Sequence, residues 1–344
     1  MASASLKVAT TKLVLAPSTT LKGHGNFIRS ISYFPDGQRM ISGSFDKTAR
    51  QWDLKEGKEI EEGRDVCEDE VLAVAVSSDS RWVLKVCEVE TGVVKKLQGH
   101  LRRISCIDIS ADNTLLASGS WDSTARIWNL ETGKLVAGPF ECEGHVGSVR
   151  ISTDSKKLAV ELLGRMCLEV WDVQSQKLVK RIGNGSGDYV FAPIFWTNKN
   201  KNILAAFNFT EDDYAKTIYE FDASTLETVG QPFGGHTRRV VGLALSFDGA
   251  LLASSSHDDT IKLWAFESRQ LLASFDVQNP RNLILSPDSH KLAYTTYTTV
   301  LSNARVIQTG FKDHRICICD TPPDILARAQ ARVRNSLTLS LSVC

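Results

Sequence analysis

The chain repeats itself at intervals of about forty residues, and that periodicity narrows its possible folds more than any other property. Residues 42–57 read SGSFDKTARQWDLKEG, residues 119–133 read GSWDSTARIWNLETG, and residues 254–268 read SSSHDDTIKLWAFES. A second marker, an aspartate in a short turn sequence, recurs at Asp36, Asp79, Asp112, Asp154, Asp248 and Asp288. Its spacings are 43, 33, 42, 94 and 40 residues, and since 94 is twice 47 a degenerate copy lies between Asp154 and Asp248. A third marker, Gly-His, stands about a dozen residues upstream, at Gly23-His24, Gly99-His100, Gly144-His145 and Gly235-His236. With the weak copies included, seven units start near residues 21, 64, 98, 143, 184, 234 and 276.

Within each unit, short alternating runs such as SCIDIS (105–110), TLLASGS (114–120) and ARIWNL (125–130) are separated by Gly, Asp and Ser turns, the pattern of short strands. Runs this short cannot bury a face alone, so neighbouring units must cover one another. Closing the units into a ring removes the exposed ends. KLVLAPSTTL (12–21) precedes the first Gly-His and is expected as the outer strand of the last unit.

Gly-His, the aspartate turn, and Trp-Asp at Trp52-Asp53 and Trp171-Asp172 together resemble the WD40-repeat family over about residues 12–320, closest to stand-alone fungal WD40 repeat proteins. The resemblance implies an all-β, seven-bladed propeller. Residues 1–11 would be a flexible N-terminus. Residues 321–344 would be a tail in which Asp324 caps a short helix, with Ile325, Ala329 and Val333 on one face, before it frays. It further implies a structural hydrogen-bond network of His24, Ser42, Asp46 and Trp52 in one unit, His100, Ser118, Asp122 and Trp128 in another, and His236, Ser254, Asp258 and Trp264 in a third. His145 and Trp171 carry the same markers in unit four. A buried carboxylate and imidazole are tolerable only when mutually satisfied. A His, Ser and Asp set present in every intact unit is therefore a device of the fold and not a catalytic triad.

The residue before the turn aspartate is not needed for that network. Phe45, Trp121 and His257 hold this position, and Phe27, Arg103 and Arg239 lie shortly after Gly-His. In the resembling family both positions commonly contact partners, and aromatics with arginine are what interface hot spots favour. These six are the expected partner-binding residues, against the plainer reading that Trp121 only packs on a neighbouring blade.

Three units break the pattern. In RWVLKVCEVETG (81–92), Val83 is four residues from Cys87 where Leu116 is twelve from Trp128, so a turn of eight residues is missing and 81–89 is expected as one strand of a truncated second blade. Unit seven has 15 extra residues within 295–314, read either as a rim loop or as translated intron sequence. Unit five (189–233) lacks Gly-His and carries Tyr219 in place of the tryptophan.

The function expected is a non-catalytic scaffold that docks proteins or peptides on its top face and rim. No nucleophile elbow, P-loop or HExxH occurs, GNGSGD (183–188) fits no phosphate-binding spacing, and no His/Cys cluster has zinc spacing, so no enzyme activity, cofactor or metal is expected. The rivals are a propeller enzyme built around a central metal and an RNA-binding propeller. Forty basic and forty acidic residues cancel, which disfavours nucleic acid and a membrane surface as partners. No apolar run approaches the ~18 residues of a membrane span. Eight cysteines are scattered without a CxxC pair, as in a reducing compartment, so the protein is expected in the cytoplasm, with the nucleus as the alternative, and as a monomer within a larger complex. A heterotrimeric G-protein β subunit is disfavoured because no long coiled-coil helix precedes the first unit. WDLK and WDVQ lack the arginine common in ubiquitin-ligase substrate receptors.

Overall fold

In a computed structural model, the described residues are 15–67, 70–81, 83–86, 99–163, 167–183, 193–197, 199–209, 215–299 and 312–331. Strand β1 (Thr19–Lys22) leads into a sheet of β2 (Ile28–Tyr33), β3 (Arg39–Ser44), β4 (Thr48–Asp53) and β5 (Lys58–Val66). A hairpin of β6 (Ala73–Val76) and β7 (Val83–Val86) follows. The next sheet holds β8 (Ile104–Ile109), β9 (Leu115–Ser120), β10 (Thr124–Asn129) and β11 (Leu135–Glu141). After it come β12 (Val146–Ile151), β13 (Lys157–Leu162), β14 (Cys167–Asp172) and β15 (Leu178–Ile182). A three-stranded sheet contains β16 (Phe195–Thr197), β17 (Asn202–Phe207) and β18 (Thr217–Asp222). Then follow β19 (Val240–Leu245), β20 (Leu251–Ser256), β21 (Thr260–Ala265) and β22 (Gln270–Asp276). The last sheet joins β23 (Leu283–Leu285), β24 (Lys291–Thr299) and β25 (Lys312–Asp320) to β1, which pairs antiparallel with β25 from Thr19↔Ile318 to Lys22↔Arg315.

The fold is an all-β propeller, but the expected count of seven blades is corrected to six. Among the described residues six sheets of three or four strands form the blades, and the second unit supplies a two-stranded hairpin. The sequence signal for this is the missing turn: eight residues fewer separate Val83 from Cys87 than separate Leu116 from Trp128, and the described strands of the second unit are β6 and β7. Of the stretch 81–89 expected as one strand, β7 occupies Val83–Val86 and residues 87–89 lie outside the described residues. The hairpin is wedged between β2 and β8. The Ser30 hydroxyl accepts from the Val74 N–H at 3.2 Å, and Val71 and Val74 are buried with Phe34, Ile41 and Ala49. On its other side, Asn113 Oδ1 accepts from the Ser78 N–H at 3.0 Å and Asn113 Nδ2 donates to Ser78 Oγ at 2.9 Å.

The recurrent aspartates make the turn between the first two strands of every unit but the fifth. Asp112 Oδ1 accepts from Ser110 Oγ at 2.6 Å and from the Thr114 N–H at 3.1 Å, and Asn113 between them has φ +59°. Its counterparts Gly37, Ser80, Ser155, Gly249 and Ser289 are likewise left-handed, which explains why a small or turn-tolerant residue follows each aspartate. These turns define the bottom face. Turns between second and third strands, such as that at Asp122, define the top.

In the first and third units the second strand carries glycine where the next unit approaches closely. A Cβ on Gly119 would lie 2.3 Å from Val146 Cγ1, and one on Gly43 2.7 Å from Val71 Cγ1. The extra residues of unit seven extend β24 and β25 into nine-residue strands in register from Lys291↔Asp320 to Thr299↔Lys312. Residues 300–311 of that insertion lie outside the described residues. Unit five adds two bridges, Ile218↔Phe233 and Phe221↔Thr228, to its three strands. A helix over residues 323–331 packs under the last two blades, burying Ile325, Leu326 and Ala329 with Leu15, Ala250 and Phe275.

Candidate functional site

Three units carry one hydrogen-bonded relay from core to top rim. In the first blade the Trp52 indole N–H donates to Ser42 Oγ at 2.8 Å, the Ser42 hydroxyl lies 2.7 Å from His24 Nε2, and His24 Nδ1 lies 2.8 Å from Asp46 Oδ2. The same distances are 2.8, 2.8 and 2.9 Å through Trp128, Ser118, His100 and Asp122, and 2.9, 2.8 and 2.9 Å through Trp264, Ser254, His236 and Asp258. One assignment of protons satisfies every member: indole N–H to serine, serine O–H to Nε2, Nδ1–H to carboxylate.

Burial pulls the three carboxyls upward, but hydrogen bonds from histidine, threonine and backbone outweigh it and hold Asp46, Asp122 and Asp258 below the ordinary carboxylate range. Burial also pushes His100 down against the pull of Asp122, favouring the neutral ring that the relay needs. A fifth member completes each set. Thr48, Thr124 and Thr260 donate to their aspartates at 2.6, 2.7 and 2.6 Å, and their signal in the sequence is Asp-x-Thr in all three copies.

Unit four departs from this arrangement. Val160 pairs across from Glu169 where the intact units have serine, and the aspartate position is Gly164. The Trp171 indole donates instead to Glu169 Oε2 at 2.9 Å, and His145 stacks on Trp121 with centroids 5.9 Å apart at 22°. His145 therefore belongs to the rim, and Trp171 to a different pairing.

The six expected partner residues are joined two by two through backbone. The N–H groups of Phe45, Trp121 and His257 donate to the carbonyls of Phe27, Arg103 and Arg239, each at 2.9 Å. The relay below holds both ends of each pair, since the aspartate that follows the rim residue also binds a backbone N–H just after the histidine, at Gly25, Leu101 and Thr237. Fold chemistry and rim geometry are thus one device: the network fixes the turn, and the turn presents the side chain.

Phe45, Arg103 and Trp121 converge on a top-face cleft of about 420 Å³, together with Arg29, Glu70, Leu72 and His145. Trp121 stacks on the next blade through His145 and also lines the cleft, so it both packs and faces open space. Its Nε1 is buried with no hydrogen-bond partner among the described residues. Arg103 Nη1 donates to Glu70 Oε2 at 2.8 Å, fixing the guanidinium across the hairpin.

Phe27 lies to one side, edge-on to Tyr297 at 5.1 Å, His314 at 4.7 Å and Phe45 at 6.5 Å. Tyr297 and His314 face each other in the lengthened part of β24–β25, so the insertion in unit seven builds part of this face. Arg239 is 7% exposed and does not line the cleft, so its backbone is on the rim and its side chain is largely inside. His257 is half-buried beside it. Arg29, Glu70 and Leu72 escape sequence reasoning because they lie at the start of an inner strand and in a linker, where no repeated motif marks them.

Among the described residues no group of three or more His, Cys, Asp or Glu is placed to hold a metal ion, and no helix is long and apolar enough to cross a membrane.

Against known proteins, the family model described as WD domain, G-beta repeat matches residues 15–53, 91–129 and 227–265. The guanine nucleotide-binding protein subunit beta of Arabidopsis thaliana is 31% identical over 126 residues, which cover 32% of this chain and 33% of that protein. The small ribosomal subunit protein RACK1 of Drosophila melanogaster is 27% identical over 262 residues, covering 72% of this chain and 80% of the relative. Cell division cycle 20.1, cofactor of APC complex, from Arabidopsis thaliana is 21% identical over 254 residues, covering 69% and 54%. The chain spans about a third of the length of the guanine nucleotide-binding relatives that it matches.

Proposed function

From a chain that belongs to the WD40-repeat family, we propose a non-catalytic scaffold that docks a protein or peptide through the top face, its product being proximity and not bond making. The observation that carries this reading is the convergence of Phe45, Trp121 and Arg103 on one cleft of about 420 Å³. Rigid aromatics beside an arginine are the residue types that dominate binding energy at interfaces. The Trp121 indole N–H, buried without a partner, offers a donor to a bound chain. The names of the relatives point the same way, since each places its protein in an assembly: a subunit, a ribosomal subunit protein, a cofactor of a complex.

The six cysteines among the described residues are free thiols, five of them buried, which supports a reducing compartment such as the cytoplasm. The test is a pull-down with mass spectrometry comparing the intact chain with a Phe45→Ala, Trp121→Ala variant that melts at the same temperature. Loss of the same captured proteins supports the cleft as the working surface; unchanged capture overturns it.

A further inference from the structure

Seven described arginines on this ring are matched with acids, Arg315 with Asp313 among them. Arg39 pairs with Asp36, Arg50 with Glu59, Arg103 with Glu70, Arg150 with Asp108, Arg181 with Glu143 and Glu169, and Arg269 with Glu220. Arg238 and Arg281 make no ion pair with a described residue. Both lie on the top face beside His257, the first exposed and the second half-buried. His257 Nε2 is buried and has no hydrogen-bond partner among the described residues. Burial, and then the neighbouring Arg281, Arg239 and Arg238, push the imidazole down to about 4, and Asp259 alone opposes them. Asp259 is itself engaged, accepting from the Asn279 N–H at 2.7 Å. The local field is thus positive within a chain whose charges cancel overall.

We propose that Arg238, Arg281 and His257, with Arg239 behind them, form the seat for an anionic group, carboxylate or phosphate, carried by an acidic segment of the partner protein. The inference rests on the top-face reading above and adds the chemistry of the partner. Three facts support it together: two guanidiniums without acids, a ring nitrogen without a partner, and a continuous path from this corner to the cleft. Along that path the Arg281 guanidinium lies 5.9 Å from the Tyr297 ring, Tyr297 5.1 Å from Phe27, and Phe27 6.5 Å from Phe45. An extended segment of about five residues spans such a distance at roughly 3.3 Å per residue. One chain can therefore set an acidic side chain against the arginines and an apolar one beside Trp121. Arginine binds carboxylate and phosphate in the same planar, bidentate way, so the two sources share one seat.

The test is fluorescence anisotropy with three labelled decapeptides, each holding a leucine five residues from a charged pair: two glutamates, two phosphoserines, or two glutamines as the neutral control. The full chain is compared with Arg238→Ala/Arg281→Ala, Arg281→Lys and Trp121→Ala, each checked by its melting temperature. The expected result is binding of at least one anionic peptide tenfold tighter than the neutral one, erased in the double alanine variant and reduced but not erased in Arg281→Lys, which keeps the charge and loses the planar fork. Preference for the phosphoserine peptide identifies phosphate as the source, and equal or greater affinity for the glutamate peptide identifies carboxylate. Trp121→Ala weakens all three peptides alike. In addition, the His257 imidazole, followed by NMR, titrates at a higher pH when the anionic peptide is bound. Equal binding of all three peptides, or a preference that survives the double alanine substitution, overturns the seat. If that happens while capture still depends on Phe45 and Trp121, the cleft stands and only the anionic partner falls.

Discussion

Replacing Ser254 with alanine tests the relay where its consequences are most confined. Ser254 is fully buried; its oxygen accepts from the Trp264 indole at 2.9 Å, and its hydroxyl lies 2.8 Å from His236 Nε2. The alanine leaves one donor and one acceptor buried without partners, each at a cost of about 1–3 kcal/mol, so a loss of roughly 3 kcal/mol is expected. For a chain of this length that corresponds to a fall of several degrees in melting midpoint. Urea and thermal unfolding, followed by tryptophan fluorescence and far-UV circular dichroism, supply the number. Combining Ser254→Ala with Trp264→Phe removes the stranded indole donor and leaves only His236 Nε2 unpaired, so the double variant should be more stable than the summed single losses by about 1–2 kcal/mol. A Ser254→Ala loss below 1 kcal/mol, or strictly additive substitutions, would refute the claim that the relay is a mutually satisfied set. Unit four illustrates the same logic: serine and aspartate are both gone, Val160 and Gly164 stand in their places, and Trp171 has found Glu169.

Gly119→Ala should destabilise by about 2 kcal/mol or more, read by urea unfolding, because its Cβ would fall 2.3 Å from Val146 Cγ1 and 2.7 Å from Cys106 Sγ in a packed inter-blade core. Stability should be greatest above about pH 6.5 and fall in two stages on acidification. His100 and His257 are held below their ordinary value, His257 at about 4, so their contribution is complete above about pH 6.5 and is lost between there and 4. The depressed carboxyls of Asp46, Asp122 and Asp258 contribute above about pH 4 and lose that contribution below it. A melting temperature that is flat from pH 7 to 4 would contradict this, and His257→Gln should flatten part of the upper stage. Leu326→Ala should cost about 2–4 kcal/mol by chemical denaturation if the helix over 323–331 seals the core beneath the last blades.

The repeats made the strands, the turns and the tryptophan relay readable because each is written several times. Trp52, Trp128 and Trp264 stand in register with their serines, and the register survives folding. Counting units was less safe than reading them. A unit becomes a blade only if its chain can turn back often enough, and in the second unit, eight residues short after Val83, the described strands are β6 and β7. The helix at 323–331 owes its position to contacts with Leu15, Ala250 and Phe275, which are remote in sequence. The same applies to the cleft: Phe45, Arg103 and Trp121 are marked by motif position, whereas Arg29, Glu70 and Leu72 arrive by proximity alone. Arg239 shows the converse limit, since motif position predicts its backbone bond to His257 but says nothing about its side chain turning inward.

The most direct measurement of the central claim is photo-crosslinking from the two ends of the ring. A benzophenone amino acid is placed at Phe45, on the top-face cleft, or at Phe247, which is 96% exposed in a bottom-face turn between β19 and β20. Docking through the top face predicts a defined set of protein adducts from position 45 that Trp121→Ala abolishes, and no matching set from position 247. The same adducts from position 247, or adducts from position 45 that are indifferent to Trp121, would contradict it.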